Sequence, residues 1–148
     1  MSVTDRDLML VQLDQQLCFK LYAASRQMIK AYRPLLDDMG VTYPQYLVLM
    51  VLWESPQPMT IGELRLKLML DSGTLTPLLK RMQTQGLVDR QRGVDDERQV
   101  WVTATSTARA LQAKAVSWVK ASSDQVKVAG LDLDTLQRQL KILLKVLS

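Results

Sequence analysis

One cysteine and several tyrosines are the residues of this 148-residue chain that could carry redox chemistry. The sequence contains a single cysteine, Cys18, and Tyr22 follows it at the four-residue spacing that places two side chains on one face of a helix. Tyr32 and Tyr43 lie farther along the chain. Hydrogen bonds from phenol hydroxyls stabilise a thiolate, which is the form of cysteine that reacts with oxidants. The pattern suits an oxidant sensor, although a lone cysteine on an amphipathic helix is more often a small buried apolar side chain.

The spacing of Tyr32 sets a condition on any contact with the thiol. Tyr32 follows Cys18 by fourteen residues, which along an unbroken helix is roughly 21 Å. Its hydroxyl therefore cannot reach the thiol of its own chain. If Tyr32 contacts a cysteine, that cysteine belongs to a second copy, in an antiparallel or crossing pair of helices. The alternative is that the tyrosines pack at an interface with satisfied hydroxyl groups.

The composition limits the class of protein. With 47% hydrophobic residues, the chain has the size and composition of one globular domain or of one protomer. One cysteine and no histidine exclude an internal disulfide, a Cys–His pair and a metal site built from several such ligands. The longest apolar run, Tyr46–Trp53, is too short to span a membrane. The first six residues lack a signal pattern, so a cytoplasmic location is expected.

The first forty residues have helical periodicity. Between about Leu8 and Met39, apolar side chains recur at steps of three and four, which predicts one long helix with a single apolar stripe. Pro34 is expected to kink or end this helix, and Gly40 suits its terminating position. The stripe consists of Leu10, Leu13, Leu17, Leu21, Ala24 and Met28.

Two capping boxes follow. Thr42 with Gln45 predicts the start of a helix that runs to about Glu54 and is apolar almost all round. Thr60 with Glu63 predicts the start of a second, short helix. A proline-rich segment lies between these two helices and terminates the first of them.

A third helix is predicted within the segment Asp71–Gln85, and its start is open. Propensity alone favours Pro77 at the first position, whereas a start near Ser72 leaves Pro77 inside the helix at the cost of one backbone hydrogen bond. Two short strands are predicted next, Leu87–Arg92 and Gln99–Thr103, joined by a polar loop.

The last third of the chain returns to helical spacing. One helix is predicted from Ser106 to about Val128, followed by an interruption at Gly130 and a final helix capped by Asp132. The apolar stripes of the first and last helices exceed what a central module of about sixty residues could cover, so a symmetric dimer is predicted. An extended bundle within one chain is the alternative.

The order of helix, short helix, helix and two-stranded hairpin is that of a winged helix-turn-helix. The first turns of the segment 71–85 carry small hydroxyl residues and a glycine, which suit phosphate and base contacts. In the loop, Arg98 fits a minor groove, and Asp96 is placed to orient it. The candidate DNA-contacting residues are Asp71, Ser72, Gly73, Thr74, Thr76, Pro77, Lys80, Arg81, Asp96 and Arg98.

Charge alone does not decide for DNA binding. The whole chain has a net charge of +4, which permits a polyanionic partner. The segment Thr60–Thr103, however, is nearly neutral. Capped helix pairs followed by hairpins also occur in proteins that bind no nucleic acid, so the pattern leaves both interpretations open.

Four stretches of sequence resemble one family. The order of elements, together with residues 70–82 and 96–100, resembles the MarR family of winged helix repressors. Residues 17–23 and 35–48 narrow the resemblance to the OhrR-type organic hydroperoxide regulators. The similarity extends from about Gln12 to Thr103. The C-terminal helices share the family's pattern of apolar and polar residues but not its short sequence motifs.

The resemblance implies a sensing site shared by two subunits. In this site Tyr32 and Tyr43 of one protomer donate hydrogen bonds to the reactive Cys18 of the other and stabilise its thiolate. An organic hydroperoxide would oxidise Cys18 to a sulfenic acid. Because no second cysteine follows, the sulfenic acid would need an outside small-molecule thiol or would proceed to higher oxides. The implied partners are a second copy and a palindromic double-stranded DNA operator, with no cofactor and no metal.

The sequence therefore predicts a single MarR-like domain over residues 1–148, mainly α with a small β-hairpin wing. Residues of about 43–104 form its DNA-binding module, and those of about 8–40 and 106–148 form a helical dimerisation region. The predicted function is a hydroperoxide-sensing repressor and not an enzyme. The alternatives are a broader redox-responsive regulator, a thiol peroxidase, a helical adaptor, and a regulator with a structural Cys18. The last would bind a small phenolic ligand in a cleft between the helices of the dimer, lined by Met28, Met39, Tyr32 and Tyr43.

Overall fold

The fold is given by a computed structural model that describes residues 3–127 and 130–148, and the side chains of all of these except 123–127. The chain forms two compact units, the first ending at Arg109 and the second beginning at Ala110. The elements in chain order are α1 (Asp5–Met9), a 3-10 turn (Leu13–Gln15), α2 (Leu17–Ala31), α3 (Arg33–Met39), α4 (Tyr43–Glu54), β1 (Met59–Thr60), α5 (Ile61–Leu68), α6 (Ser72–Thr84), β2 (Val88–Arg92), β3 (Val100–Ala104), α7 (Ser106–Ala110), α8 (Gln112–Lys127) and α9 (Leu133–Leu147).

The prediction of one continuous helix from Leu8 to Met39 is wrong. The helix is interrupted between α1 and α2, where Gln16 takes an extended conformation and its side-chain amide donates to the carbonyls of Leu10 and Gln12 at 2.7 and 3.1 Å. These side-chain bonds replace the backbone bonds of a helix, which is how a polar side chain competes with helical structure.

A second interruption falls at Tyr32, between α2 and α3. Pro34 lies in the first turn of α3, where its missing N–H removes no helical bond. The predicted effect of Pro34 is therefore confirmed as a helix boundary. Gly40 ends α3 with φ of 68°, a left-handed conformation that favours glycine.

Both capping boxes are confirmed. Thr42 and Gln45 exchange side-chain and backbone hydrogen bonds at the start of α4, and Thr60 and Glu63 do the same at the start of α5. Each box satisfies two backbone N–H groups of a helix end. The reciprocal bonds fix where these helices begin, and so fix where Tyr43, the first residue of α4, stands.

The open question about the third helix is settled in favour of the early start. α6 begins at Ser72, because the Asp71 carboxylate caps it by accepting the Thr74 N–H at 2.7 Å. Pro77 then lies inside the helix and deprives the Gly73 carbonyl of its usual partner. Burial of the apolar face offsets that loss. The buried residues of this face are Leu75, Leu78, Leu79 and Met82.

The wing is a three-stranded antiparallel sheet in the order β1, β3, β2. The two predicted strands are confirmed as β2 and β3, with Arg90 opposite Val102, whereas β1 was missed because two residues show no alternation. The turn between β2 and β3 is closed by the Gly93 N–H, which donates to the Gln99 carbonyl at 2.8 Å. A Cβ on Gly93 would lie 2.5 Å from the Asp96 carbonyl oxygen, so this tight loop requires glycine.

The apolar core of the first unit lies between α4, α5, α6 and the sheet. Its fully buried side chains include Val48, Leu49, Leu52, Leu64, Leu75, Leu79, Met82, Val88 and Val102. The indole N–H of Trp53 donates to the Ala108 carbonyl at 3.0 Å, which fastens α7 to this core. The winged module therefore rests on one continuous apolar interior.

The C-terminal prediction is partly wrong. Instead of one helix from Ser106, α7 and α8 are separated at Leu111, whose carbonyl accepts the Ala115 N–H in the first turn of the second helix. Val128, the predicted end, lies outside the described residues. Asp132 is confirmed as the cap of α9, where its carboxylate accepts the Thr135 N–H at 3.1 Å.

Candidate functional site

Cys18 lies in the first turn of α2, and its side chain is exposed. The preceding Gln16 makes no side-chain cap to this helix, because its amide is used by the carbonyls of Leu10 and Gln12. The thiol is thus presented on the surface of the chain at the beginning of a 15-residue helix. An oxidant or a second protein chain can reach it there.

Tyr22 lies one turn farther along the same helix, with its side chain exposed. The guanidinium of Arg26 lies 5.3 Å from the centre of the Tyr22 ring, which is within the range of a cation–π contact. Arg26 thereby orients the phenol. The predicted placement of Cys18 and Tyr22 on successive turns agrees with the geometry of α2.

A tyrosine cluster lies at the other end of α2. The ring centres of Tyr32 and Tyr43 are 5.4 Å apart in an edge-to-face arrangement, which is a favourable aromatic geometry. Tyr46 packs 5.9 Å from Tyr32 and 6.2 Å from Tyr43, and it is only 3% exposed. Trp53 continues the cluster at 6.1 Å from Tyr46. We call Tyr32, Tyr43 and Tyr46 the tyrosine cluster.

Tyr46 was not among the predicted site residues. Its signal in the sequence was its position three residues after Tyr43 in α4, a spacing that places both rings on one face of a helix. That signal was hidden because Tyr46 also begins the apolar run and so looks like an ordinary core residue.

Burial favours the neutral phenol form of Tyr43 and Tyr46. Desolvation raises the pKa of Tyr43 above its ordinary value, with a smaller contribution from Tyr32. The pKa of Tyr46 is raised for the same reason, with Tyr32 and Tyr43 adding to it. At neutral pH these hydroxyls are therefore hydrogen-bond donors, which is the form needed to stabilise an anion.

Within one chain, the thiol and the tyrosine cluster are far apart. α2 is unbroken between Leu17 and Ala31, so Cys18 and Tyr32 lie at its opposite ends, roughly 21 Å apart. The structure of a single chain therefore brings Tyr32 and Tyr43 together and leaves Cys18 and Tyr22 away from them.

The predicted DNA-contacting residues of α6 lie mostly on its solvent side. Asp71, Ser72, Gly73 and Thr74 are exposed at its N-terminus, and Thr76 is half-buried one turn later. Pro77, Lys80 and Arg81 are exposed farther along the helix. α6 therefore presents an N-terminal end rich in hydroxyl and N–H groups, with two cations toward its C-terminal half.

The wing presents one oriented arginine. The side chain of Arg98 is 92% exposed, and its Nε lies 3.1 Å from Oδ1 of Asp96. The same carboxylate oxygen accepts the backbone N–H of Arg98 at 3.0 Å. The orienting contact that the sequence predicted is present.

A contact that sequence reasoning missed joins the wing to α6. The Nε of Arg90, in β2, donates to the side-chain oxygen of Gln83 at 2.8 Å. Local patterns could not reveal it, because it depends on how the sheet packs beside the helix.

The small-ligand cleft predicted between the helices of a dimer stays a prediction, because it needs a second copy of the chain. Within one chain, Met39 is buried in the core and Met28 is exposed on α2. A cleft of about 550 Å³ beside α2 and α3 is lined by Arg26, Ile29, Lys30, Arg33, Leu36, Asp37, Val41 and Thr42. The described residues contain no group of three side chains arranged to hold a metal ion.

Comparisons with known proteins match this architecture. The family model of the transcriptional regulators SarA/Rot matches residues 30–114, more than half of the chain. The organic hydroperoxide resistance transcriptional regulator of Bacillus subtilis (strain 168) is 47% identical over 137 residues, covering 93% of this chain and 92% of that protein.

Two solved structures of AbfR, a protein of Staphylococcus epidermidis, show the same fold. Reduced AbfR bound to DNA is 36% identical with a TM-score of 0.71, covering 89% of this chain and 95% of that chain. The disulfide form of AbfR is 35% identical with a TM-score of 0.66, covering 95% and 98% respectively.

The chain belongs to the winged helix transcriptional regulators of the SarA/Rot and MarR type. Within that class, the sequence similarity joins it to the organic hydroperoxide resistance regulators. The resemblance to the MarR family and its OhrR-type regulators, inferred from short sequence motifs, is confirmed. The predicted fold class is confirmed as well. The chain is thus a member of a family of regulators and not of an enzyme family.

Proposed function

We propose that this protein is a homodimeric repressor that binds palindromic double-stranded DNA and releases it when an organic hydroperoxide oxidises Cys18. The observation that carries the proposal is the placement of an exposed thiol and the tyrosine cluster at opposite ends of one helix. If α2 pairs with its copy in an antiparallel or crossing arrangement, Cys18 of each protomer lies beside the tyrosine cluster of the other, and two such contacts result. A relative with the name of an organic hydroperoxide resistance regulator supports the choice of oxidant.

The DNA-binding module is the segment of about 43–104. The N-terminus of α6 would enter the major groove, with Ser72, Thr74 and their backbone N–H groups toward bases and phosphates. Lys80 and Arg81 would contact the phosphate backbone. Arg98, held by Asp96, would enter the minor groove. The DNA complex of AbfR, which has the same fold, supports this assignment.

The dimerisation region is formed by residues of about 8–40 and 106–148. From residue 3, where the described part of the chain begins, through α2 no residue is buried, and α9 has no buried residue either. Amphipathic helices of this kind bury their apolar stripe against another helix. The large apolar side chains that a second copy would cover include Leu8, Leu10, Leu13, Leu17, Leu136, Leu144 and Leu147.

In the dimer, Tyr32 and Tyr43 of one protomer would donate hydrogen bonds to Cys18 of the partner subunit. The two rings already pack edge to face in the single chain, so their hydroxyls would reach the thiolate from neighbouring positions and stabilise it. Tyr22, which Arg26 orients on the turn after Cys18, would close the side of the pocket. Two equivalent pockets would result, one for each thiol.

The sensing chemistry has two steps. The thiolate sulfur attacks the distal oxygen of the hydroperoxide, the O–O bond breaks, and the alkoxide leaves and takes a proton to become an alcohol. The sulfur, oxidised by two electrons, is then a sulfenic acid. Because the chain has no second cysteine, a small-molecule thiol then condenses with it and releases water, and a mixed disulfide forms.

Release of DNA would follow from the bulk of this adduct. The mixed disulfide does not fit among the phenols, so Tyr32 and Tyr43 lose their bonds to sulfur and the protomers rotate relative to each other. The two recognition helices must lie about 34 Å apart to enter successive major grooves. A small rotation at the dimer interface changes that distance, and the operator is released.

We also propose that the protein acts in the cytoplasm, where DNA and small thiols are present. Among the described residues, none of the helices has the length and hydropathy needed to cross a bilayer.

The test is a gel-shift titration on the DNA upstream of the protein's own coding sequence. Reduced protein should bind it, and treatment with cumene hydroperoxide and a small thiol should release it. Intact mass should show one oxygen atom or one thiol adduct per chain. The Cys18→Ser variant should bind as tightly as wild type and should stay bound after treatment. Release of DNA from Cys18→Ser would instead favour a regulator controlled by a bound small ligand.

A further inference from the structure

Gln45 is a polar side chain in an otherwise apolar interior. Among the described residues it is the one polar or charged side chain that is buried, at 3% exposed. Its two amide atoms have different partners. Oε1 accepts the Thr42 N–H at 3.0 Å, as part of the capping box, while Nε2 donates to Oε1 of Gln85 at 2.9 Å. The second bond is not part of the cap of α4; it satisfies the buried amide N–H and links Gln45 to a distant helix.

The bond between Gln45 and Gln85 joins the two halves of the proposed mechanism. Gln45 lies in the first turn of α4, two residues after Tyr43. Gln85 is the C-terminal capping residue of α6, where its backbone N–H donates to the Arg81 carbonyl at 3.0 Å. A direct side-chain bond thus connects the turn that holds Tyr43 to the helix that we assign to DNA recognition.

The helices on either side of the bond are suited to transmit a displacement. The apolar face of α6 is fully packed, with Leu75, Leu79 and Met82 at 0% exposed, and packed helices move as rigid bodies rather than deforming. A rigid α6 would carry a displacement of Gln85 along its length toward Ser72.

The geometry also permits the bond to break. A cleft of about 460 Å³ borders it, lined by both glutamines together with Arg81 and Thr42 among others. The cleft leaves open space beside the two amides. A buried amide N–H that loses its partner is unfavourable, so a displacement that separates the two amides carries a free-energy cost.

We propose that the Gln45–Gln85 hydrogen bond couples the tyrosine cluster to the recognition helix, and that Gln85 is a positioning residue for the redox response. When Tyr43 loses its bond to the partner's Cys18, the first turn of α4 shifts. The hydrogen-bonded amide pair then displaces the C-terminal end of α6. The inference rests on the proposed function, because it needs oxidation of Cys18 as the input and operator affinity as the output.

A merely structural role makes a different prediction. If the pair only stabilised the fold, its loss would lower the unfolding temperature and would leave the response to oxidant intact. The measurement that separates the two is the ratio of operator dissociation constants between the oxidised and reduced forms of each variant. A change in overall affinity cancels in this ratio.

Three variants at exposed positions of the full-length dimer make the test. Gln85→Ala removes the acceptor of Gln45 Nε2. Gln85→Glu keeps a carboxylate oxygen at the same place as acceptor. Gln83→Ala is the matched control, because it removes one side-chain bond, that to Arg90, from the same helix two residues away.

The ratio should fall by about two- to thirtyfold in Gln85→Ala, the range by which such residues modulate coupling. Gln85→Glu should restore it toward the wild-type value, and Gln83→Ala should leave it unchanged. Thermal unfolding of each reduced variant checks that all are folded.

Two negative results have different meanings. If wild type responds to the oxidant and Gln85→Ala responds equally, the coupling proposal is wrong and the proposed function stands. If wild-type protein with oxidised Cys18 keeps its operator, the proposed function fails and the coupling proposal fails with it. Equal loss of response in Gln85→Ala and Gln83→Ala would also overturn the specific role of Gln85.

Discussion

Helices α4 and α2 have similar lengths but differ in burial. Of the 12 residues of α4, six are buried, including Val48 and Leu49 at 0% exposed. Of the 15 residues of α2, none is buried. α4 is apolar all round and lies inside the winged module, whereas α2 carries one apolar stripe and leaves it uncovered within the chain.

The difference teaches that the two regions obtain their stability in different ways. The winged module has a core of its own, built from α4, α5, α6 and the sheet. The outer helices gain packing only from whatever covers their stripes, which in our proposal is a second copy. Tyr43 and Tyr46 lie in the module, whereas Tyr32 and Cys18 lie in the outer region, so the sensing pocket that we propose spans both.

The largest effect that tests the comparison is a cavity in the module. Leu49→Ala removes a side chain that is 0% exposed and should lower the free energy of unfolding by about 2–5 kcal/mol. Urea denaturation followed by circular dichroism measures it. Leu66→Ala is the matched control, because Leu66 lies in the same module but is 82% exposed. Equal losses in the two variants would contradict a self-contained core.

The next effect is on the association of two copies. Leu136→Glu places a charge on the apolar stripe of α9 and should raise the dimer dissociation constant roughly tenfold to a hundredfold, since burying a leucine is worth about 1.5–3 kcal/mol. Sedimentation equilibrium measures it. Gln137→Glu adds the same charge to an exposed neighbour and should have little effect. An unchanged dimer in Leu136→Glu would show that this stripe does not form the interface.

The smallest effect concerns pH and two capping carboxylates, one in each region. A hydrogen bond from the Thr74 N–H lowers the pKa of Asp71 at the start of α6, and bonds from Thr4 lower the pKa of Asp7 in α1. A lowered pKa in the folded state means that each carboxylate stabilises its helix above the ordinary value of 3.8. That stabilisation is lost as the pH falls through the lower, folded pKa.

Asn caps a helix without titrating, so Asp71→Asn should flatten the decline in module stability with acid while leaving neutral stability nearly unchanged. Asp7→Asn should leave the unfolding of the module unaltered, because α1 buries no residue. Urea midpoints recorded between about pH 6 and about pH 2.5 make the comparison. An effect of Asp7→Asn equal to that of Asp71→Asn would mean that α1 is part of the module's cooperative unit.

Local signals were read correctly where a few neighbouring residues decide the structure. The capping boxes at Thr42 and Thr60, the cap at Asp132 and the contact of Asp96 with Arg98 all involve residues two or three apart. The short sequence motif around Cys18 likewise indicated the family, because a contiguous motif can be recognised without knowing the tertiary structure.

The sequence-based predictions were wrong or incomplete where contacts between residues distant in the chain decide the structure. Propensity alone would have started α6 at Pro77, whereas burial of its apolar face and the Asp71 cap start it at Ser72. β1 has two residues and exists only because Met59 and Thr60 pair with β3. The break before α2 comes from Gln16, whose side chain bonds to carbonyls four and six residues earlier.

The sequence by itself determined that one thiol is available for chemistry, that neither a disulfide within the chain nor a histidine partner can serve it, and which helix carries it. These follow from residue identity and short-range spacing. The tertiary structure alone decided that Tyr46 joins Tyr32 and Tyr43, and that Gln45 reaches Gln85 forty positions away in the chain. Such contacts depend on how whole helices pack, which the pattern of any one helix does not contain.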